Sequence, residues 1–158
     1  MAKKAYFIEN INEEKWRFLI NWVRKKAFYF VVVKEPDRIK TGFFKTERVY
    51  PKDLELLKDL LVEEYDSKER WHCKQFFSSH FYKFRIDKKV WKLLENETLL
   101  DLYLNKGIED PSFFDINDNP ILETISHEDY AFVFLENKEV QMFIKKGFEI
   151  VEHKWGVD

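Results

Sequence analysis

The amino-terminal half of the chain alternates between strand patterns and helical patterns. Short runs of β-branched and aromatic residues predict strands, and apolar residues at helical spacing predict helices. The predicted elements are strands over residues 5–9 and 28–33, helices over residues 13–26 and from Pro51 to about Tyr65, and two strands around a turn near Ser78 and Ser79. The run over residues 28–33 is unbroken, which predicts a central strand covered on both faces. Residues 38–50 alternate poorly, and Gly42 marks a turn or bulge within them.

The carboxy-terminal half closes with the clearest succession of elements in the chain. Helices are predicted over residues 88–94 and from Glu97 to Gly107, the second with Leu100, Tyr103 and Leu104 facing inward. The closing elements are strands from Phe113 to Ile116, Ile121 to Ile125 and Tyr130 to Leu135, a helix from Lys138 to Lys146 capped by Asn137, and a strand from Phe148 to Val151. Asp115 to Pro120 is dense in side chains that bond to the local backbone, which predicts a chain reversal there.

This order of elements predicts an α+β fold rather than a doubly wound parallel sheet. We expect a single compact domain over residues 1–158. In it, a mixed or antiparallel sheet packs with about four or five helices and ends in a β-β-β-α-β unit. Two internal lobes, residues 1–66 and 67–158, are an alternative division of the same chain.

Aromatic residues are unusually frequent in this chain. They make up 18% of it, with 16 Phe, 7 Tyr and 5 Trp, which exceeds what a core needs for volume. Some of these rings must therefore lie at the surface. Exposed aromatic area is common where proteins meet partners or bases, so the composition indicates a binding function.

The sequence predicts a soluble, cytoplasmic protein with no membrane partner. Cys73 is the only cysteine, so no intrachain disulfide forms and a reducing compartment is favoured. The apolar run after Lys4 is too short for a signal peptide. No stretch approaches the ~20 apolar residues that a membrane-spanning helix needs.

Charge is unevenly placed along the chain, although the formal net charge is only -2. Residues 1–45 carry eleven Lys and Arg against five Asp and Glu, whereas residues 93–130 carry one Lys against ten acidic residues. If the late acidic residues converge in the fold, they form a patch that attracts a cationic partner.

Two polar segments begin like known metal motifs and then depart from them. Asp115-x-Asn117-x-Asn119 starts like a calcium loop, but Pro120 stands where glycine is needed, so a hairpin turn is the better interpretation. His127-Glu128 starts like a zinc-protease helix, but the second histidine is missing. Ser126 to Asp129 still gathers a hydroxyl, an imidazole and two carboxylates, and is the best polar focus in the chain.

No metal, cofactor or catalytic signature is complete in this sequence. The candidate metal ligands His72, Cys73, His80, His127 and His153 match no known spacing. An inward Cys73 beside Trp71 is expected to be an inert core residue rather than a nucleophile. Phosphate-binding loops, dinucleotide fingerprints and nucleophile elbows are also missing. We therefore predict no metal and no cofactor, and we favour a non-enzymatic protein.

The segment Phe81-Tyr82-Lys83-Phe84-Arg85 interleaves aromatic and basic residues. Such a pattern suits stacking on bases and contact with phosphates, so binding to RNA or single-stranded nucleic acid is an alternative function. Gly42 to Lys45 has a similar composition. The competing interpretation of Phe81 to Arg85 is a strand with one core face and one cationic face.

The end of the chain resembles a known enzyme family over about fifteen residues. The helix that leads into Lys145-Lys146-Gly147-Phe148-Glu149-Ile150 is similar to the last helix and strand of GNAT acetyltransferases. That family grips a pyrophosphate with a glycine-bearing loop. The glycines of this chain do not form such a loop, so the resemblance does not extend to acetyltransferase activity. They are Gly42, Gly107, Gly147 and Gly156.

The favoured function is that of a non-enzymatic binding protein, of which an inhibitor or immunity-type protein that faces a basic partner is one form. Acidic residues would steer the association, and exposed rings would anchor the contact. The expected contact residues are Phe113, Phe114, Asp115, Asp118, Ser126, His127, Glu128 and Tyr130. A further alternative is a small enzyme centred on His127 and Glu128. The oligomeric state and the partner's identity do not follow from these patterns.

Overall fold

The computed structural model describes residues 2–70 and 73–154, and they form an antiparallel sheet packed with helices. The strands are β1 Lys4–Glu9, β2 Tyr29–Val33, β3 Asp37–Lys40, β4 Thr46–Val49, β5 Leu61–Arg70, β6 Cys73–Arg85, β7 Glu109–Phe114, β8 Pro120–Ile125, β9 Tyr130–Leu135 and β10 Val151–His153. The helices are α1 Glu13–Val23, a 3-10 helix Lys52–Leu60, α2 Lys88–Leu94, α3 Leu99–Lys106, α4 Asn137–Lys145 and a 3-10 turn Ser126–Glu128.

Eight strands make one sheet in the order β10-β1-β9-β8-β7-β2-β6-β5, and β3 pairs with β4 in a separate hairpin. Every pairing within the described residues is antiparallel. The predicted α+β fold in a single compact domain is therefore confirmed. β1 and β2 lie between strands from the second half of the chain, so residues 1–66 and 67–158 contribute to one shared sheet.

The main core lies between the helices and one face of the sheet. β1 contributes Tyr6 and Ile8, and α1 contributes Trp16 and Leu19. α1 begins where predicted, because the Asn12 side chain accepts a hydrogen bond from the Lys15 N–H at 2.9 Å. The other sheet face carries a smaller cluster of strand residues, Val31, Val33 and Phe81. β2 is thus buried on both faces, as its apolar run predicts.

The helix predicted from Pro51 to Tyr65 is wrong in type and in length. Residues 52–60 form a 3-10 helix, and the chain becomes strand β5 from Leu61 onward. Leu54, Leu57 and Leu60 are the buried residues of this helix. Their spacing of three matches the three residues per turn of a 3-10 helix. Pairing of β5 with β6 then overrides helical propensity in the following residues.

The turn predicted near Ser78 and Ser79 is also wrong. β6 runs through both residues, and β5 and β6 join between Arg70 and Cys73; Trp71 and His72 lie outside the described residues. The predicted inward face of α3 is wrong as well. Leu99 and Leu102 are buried, whereas Leu100 and Leu104 are exposed.

Other boundaries agree with the local patterns. Gly107 ends α3 with φ 60°, in the left-handed region that glycine adopts without strain. The predicted turn before Pro120 is confirmed, because Asp115 Oδ1 accepts hydrogen bonds from the N–H groups of Asn117 and Asn119.

The closing elements differ from the prediction by a few residues. β7 ends at Phe114 rather than Ile116. Asn137 is the first residue of α4 rather than its cap, and the Glu136 N–H donates to Glu139 Oε2 at 2.9 Å. The last strand begins at Val151, because Phe148 is buried against Phe143 of α4 and does not join the sheet.

Candidate binding surface

The tip of the β3–β4 hairpin presents two phenylalanines to solvent. Phe43 and Phe44 are each 95% exposed, and their rings contact each other edge to face with centroids 5.3 Å apart. The tip is closed by a hydrogen bond from the Thr41 N–H to the Lys45 carbonyl at 3.0 Å. The two rings therefore stand on an ordered turn.

The far end of the β5–β6 hairpin presents a second pair. Phe76 is 87% exposed and Phe77 is 77% exposed. Their rings are 5.0 Å apart and nearly perpendicular. We call Phe43, Phe44, Phe76 and Phe77 the four-phenylalanine surface.

A bulge in β6 creates this second pair. Ser67 pairs with Ser79 and Glu69 pairs with Lys74, so β5 advances two residues while β6 advances five. The extra residues of β6 leave the regular ladder and bend the strand. Inside the bulge, the Ser79 hydroxyl donates to Gln75 Oε1 at 2.9 Å, which fixes its local shape.

Contacts between the two hairpins orient both phenylalanine pairs. Arg48 Nη2 of β4 lies 3.3 Å from His80 Nδ1 of β6, and the ring centroid of Tyr50 is 5.6 Å from that of Tyr82. Tyr50 follows Arg48 by two residues and Tyr82 follows His80 by two, so the two segments run in the same direction at this contact. Phe43 and Phe44 precede Arg48 by a few residues, and Phe76 and Phe77 precede His80 by a similar number, so each pair lies on the amino-terminal side of this contact.

Asp66 strengthens the junction between the hairpins. Its Oδ1 atom lies 2.8 Å from His80 Nδ1 and 3.3 Å from Arg48 Nη2. Hydrogen bonds from His80 and then from Arg48 hold the pKa of the Asp66 carboxyl below its usual value. The carboxylate is thus charged at neutral pH and joins β4, β5 and β6.

A buried ionic network fixes the end of β5 to β7. Arg70 donates to Ser79 Oγ at 3.0 Å and to Glu109 Oε2 at 3.1 Å, and its Nη1 lies 2.9 Å from Asp110 Oδ2. Asp110 is fully buried, and the Ser126 N–H donates to its Oδ1 at 2.8 Å. Burial raises the pKa of Asp110, against the opposing effects of the Ser126 hydrogen bond and Arg70.

The backbone of Asp110 is strained, which indicates that the network over-determines its position. Its φ is 51°, a left-handed conformation that is costly for most non-glycine residues. The Asp110 N–H donates to Ser126 Oγ at 2.9 Å, and the Ser112 hydroxyl donates to the Asp110 carbonyl at 3.0 Å. This network holds the hairpin that carries Phe76 and Phe77 against the rest of the sheet.

The charges beside Phe43 and Phe44 are mainly positive. Arg38, Lys40 and Lys45 are exposed on the β3–β4 hairpin and have no ion-pair partner within residues 2–70 and 73–154. Glu47 is the exposed carboxylate on the same hairpin. The surface around this pair of rings thus combines aromatic area with an excess of cations.

The predicted acidic face is not assembled as one free patch. Asp110 and Glu123 are buried. Other acidic residues of the same block pair with cations, in the contacts Glu97–Lys106 at 3.2 Å, Glu109–Arg70 at 3.1 Å and Asp118–Lys83 at 2.6 Å. Arg70 and Lys83 come from an earlier part of the chain, whereas Lys106 belongs to the acidic block itself.

The predicted aromatic anchors are less exposed than expected. Phe113 is fully buried and stacks on Phe30 and Trp91, so its expected role as a surface anchor is wrong. Phe114 is partly buried against the second cluster. Tyr130 is half-buried and lies 5.1 Å from the ring of Phe7. Central strands bury both faces, which explains the position of the Phe113-Phe114 doublet.

The polar focus Ser126 to Asp129 consists of the 3-10 turn Ser126–Glu128 and the residue that caps it, and its side chains differ in burial. Ser126 is buried, and its hydroxyl accepts a hydrogen bond from the Asp110 N–H at 2.9 Å. His127 and Glu128 are exposed, with His127 Nε2 3.7 Å from Glu128 Oε1. Asp115 holds the β7–β8 turn through its hydrogen bonds to Asn117 and Asn119.

The segment Phe81 to Arg85 does not expose the aromatic rings that stacking on bases would need. Phe81, Tyr82 and Phe84 are buried, and Phe81 stacks on Tyr65 at 5.1 Å. Lys83 is paired with Asp118 and lies 4.3 Å from the ring of Tyr29. The expected use of this segment for stacking on bases is therefore wrong, since its rings form the two cores.

The sequence patterns did not single out Phe76 and Phe77 as surface residues, although the phenylalanine doublet itself is a signal. Side chains alternate between faces along a strand, so two adjacent phenylalanines cannot both face one core. In an outer hairpin, such a doublet leaves apolar area uncovered. Phe43-Phe44 and Phe76-Phe77 both have this pattern.

The described residues contain neither a cluster of metal ligands nor a membrane-spanning helix. Within residues 2–70 and 73–154, no three His, Cys, Asp or Glu side chains are arranged to hold a metal ion. Of the candidate ligands, His72 and the side chain of Cys73 lie outside the described part of the chain. None of the helices in these ranges is long and apolar enough to cross a membrane.

Comparison with known proteins adds no assignment to this geometry. No protein-family model, no curated protein and no solved structure matches the chain.

Proposed function

We propose that this protein is a non-enzymatic macromolecular binding protein whose contact site is the four-phenylalanine surface. The observation that carries the proposal is the exposure of Phe43, Phe44, Phe76 and Phe77, which ranges from 77% to 95%. Covering one phenylalanine side chain is worth roughly 1.5–3 kcal/mol. A partner that covers several of these rings gains a large part of its binding energy from them.

Contacts with the rest of the fold support both hairpins, which favours their use as a preorganised binding site. The Asp66 junction joins the hairpins, and the Arg70 network anchors β5 to β7. Because these contacts are present in the free protein, little ordering entropy is spent when a partner binds.

Binding through the four-phenylalanine surface does not require the acidic face that the sequence predicted. An inhibitor or immunity-type protein can use an aromatic contact surface without a single free acidic patch. The partner of such a protein would be recognised by its own apolar area, with charges at the rim setting the orientation.

A second candidate function is binding to single-stranded nucleic acid. It is favoured by Arg38, Lys40 and Lys45, which lie on the same hairpin as Phe43 and Phe44. Exposed rings beside cations suit base stacking combined with phosphate contacts.

Affinity capture with paired variants tests the proposal. Immobilised protein is compared with Phe43→Ser/Phe44→Ser and Phe76→Ser/Phe77→Ser variants, and with Ile116→Ser as a control. Ile116 is 63% exposed but lies in the β7–β8 turn, beside the end of β6 that is remote from Phe76 and Phe77. We expect the same partner to be lost from both double variants and retained by the control.

Retention of every captured partner by both double variants would refute the proposed contact site. Fluorescence polarisation with labelled single-stranded oligonucleotides distinguishes the second candidate. Binding that weakens with salt and is lost in Phe43→Ser/Phe44→Ser would support nucleic acid as the partner. Equal polarisation with and without the protein would exclude it.

A further inference from the structure

A separate groove lies on the helical side of the molecule. It has a volume of about 760 Å³ and is bounded by α1, the 3-10 helix and α2. That volume lies within the range of ligand-binding clefts. α2 follows the end of β6 that is remote from the bulge, so the groove is at the opposite end of β6 from Phe76 and Phe77.

The groove lining combines apolar and cationic side chains. Ile20, Leu56 and Leu94 are its aliphatic residues, and Leu56 is 41% exposed. Five cationic side chains and two carboxylates line the groove as a whole. An occupant must therefore offer apolar area and negative charge together.

Internal ion pairs leave the groove lining with an excess of positive charge. Arg17 pairs with Glu13, Lys89 with Asp59, and Glu97 with Lys106. The groove cations that keep no ion-pair partner within the described residues are Arg24, Lys88 and Lys92. Glu95 is the remaining carboxylate in the lining.

Arg24 lies over Trp91. Its guanidinium carbon is 5.7 Å from the centroid of the Trp91 ring, and the indole stacks on Phe113 with an interplanar angle of 10°. An exposed guanidinium can bind a carboxylate through two parallel hydrogen bonds. The Trp91 ring is engaged by Phe113 and Arg24, so it does not offer a free stacking face for a nucleotide base.

Helix geometry gives the length of the groove along α1. Arg17 of α1 and Arg24, the residue that caps its carboxyl end, are seven residues apart, which corresponds to about 10 Å along the helix axis. Lys88 and Lys92 are one turn apart on α2. This length suits about two helical turns of a bound peptide.

We propose that this groove binds a short acidic segment of a partner protein. An aliphatic side chain of the segment lies on Leu56 and Ile20, and flanking carboxylates contact Arg24, Lys88 and Lys92. The mode is that of an amphipathic segment docking its apolar face into a groove. The site is independent of the four-phenylalanine surface.

Selection from a random peptide library displayed on phage tests this site. We expect peptides in which Asp or Glu flank Leu, Ile or Phe. Synthetic copies of the selected peptides are then measured by fluorescence polarisation. Lys88→Glu/Lys92→Glu should weaken binding more than about tenfold, the scale expected for loss of charge-assisted contacts.

Matched variants separate the groove from general charge effects. Lys25→Glu makes a single exchange of the same kind, with half the charge change of the double variant, at an exposed position beyond α1 that does not line the groove, and it should leave affinity unchanged. Leu56→Ser should weaken binding without removing any charge. Lys88 and Lys92 are exposed, so their substitution leaves the core intact.

Three results would overturn the proposal. The first is a selection that yields no consensus or a basic one. The second is equal weakening by Lys25→Glu and by the Lys88/Lys92 double variant. The third is a single-stranded oligonucleotide that displaces the peptide and binds the groove more tightly, which would identify nucleic acid as the occupant.

Discussion

Replacing Glu123 by glutamine is expected to stabilise the fold above neutral pH and to leave it almost unchanged in acid. Glu123 lies on β8 opposite Phe132 of β9, and only 7% of it is exposed. Within the described residues its carboxylate has no hydrogen-bond or ion-pair partner. Burial raises the pKa of Glu123 from 4.5 to about 7.

The magnitude follows from that difference in pKa. At about 1.4 kcal/mol per pKa unit, ionising the carboxylate inside the fold costs about 3 kcal/mol. The folded state holds the proton more tightly than the unfolded state, so stability falls as pH rises. The loss begins near pH 4.5 and is complete somewhat above pH 7. A neutral glutamine side chain does not titrate and avoids this cost.

Urea denaturation at pH 4 and pH 8.5 measures the effect. The free energy of unfolding of Glu123→Gln should exceed that of the wild type by about 3 kcal/mol at pH 8.5 and differ from it by less than about 1 kcal/mol at pH 4. Glu149→Gln, at an exposed position after α4, should change stability by less than about 0.5 kcal/mol at either pH. A difference between Glu123→Gln and wild type that is the same at both pH values would refute the reasoning.

The remaining predictions concern the hairpins, the buried network and a helix end. Phe43→Ser/Phe44→Ser should change the free energy of unfolding by less than about 0.5 kcal/mol, since both rings are 95% exposed; a larger loss in urea denaturation would show that they support the fold. Arg70→Met should destabilise the protein by roughly 3–5 kcal/mol, because it leaves the buried Asp110 carboxylate without its cation; Arg70→Met/Asp110→Asn should recover part of that loss, and no recovery would argue against the pair. Gly107→Ala should cost about 1 kcal/mol in thermal unfolding, because φ is 60° and the added Cβ would lie 3.3 Å from Lys34 Nζ; an unchanged melting temperature would contradict this.

Local side-chain chemistry made several parts of the fold predictable. Asp115 bonds to the backbone of the next few residues, so the β7–β8 turn follows from its neighbourhood in sequence. Gly107 ends α3 because glycine tolerates a left-handed backbone. The apolar run of β2 required burial on both faces, and the sheet supplies it between β6 and β7.

Competition between local and long-range interactions decided what the pattern could not. The spacing of the leucines after Pro51 fits both an α-helix and a 3-10 helix. Only the pairing with β6 determines that the chain becomes a strand at Leu61. The same pairing places the bulge that exposes Phe76 and Phe77. Register depends on a partner strand, which a local pattern does not contain.

The sequence by itself determined the fold class, most element types and the excess of aromatic rings over what a core requires. The tertiary structure alone decided which rings are exposed and which charges are free. Phe113 is buried while Phe43 is exposed, although both belong to adjacent phenylalanine pairs. Asp110 is neutralised by Arg70, forty residues earlier in the chain. Burial and electrostatic pairing depend on distances in space, and residues remote in sequence set those distances only once the chain has folded.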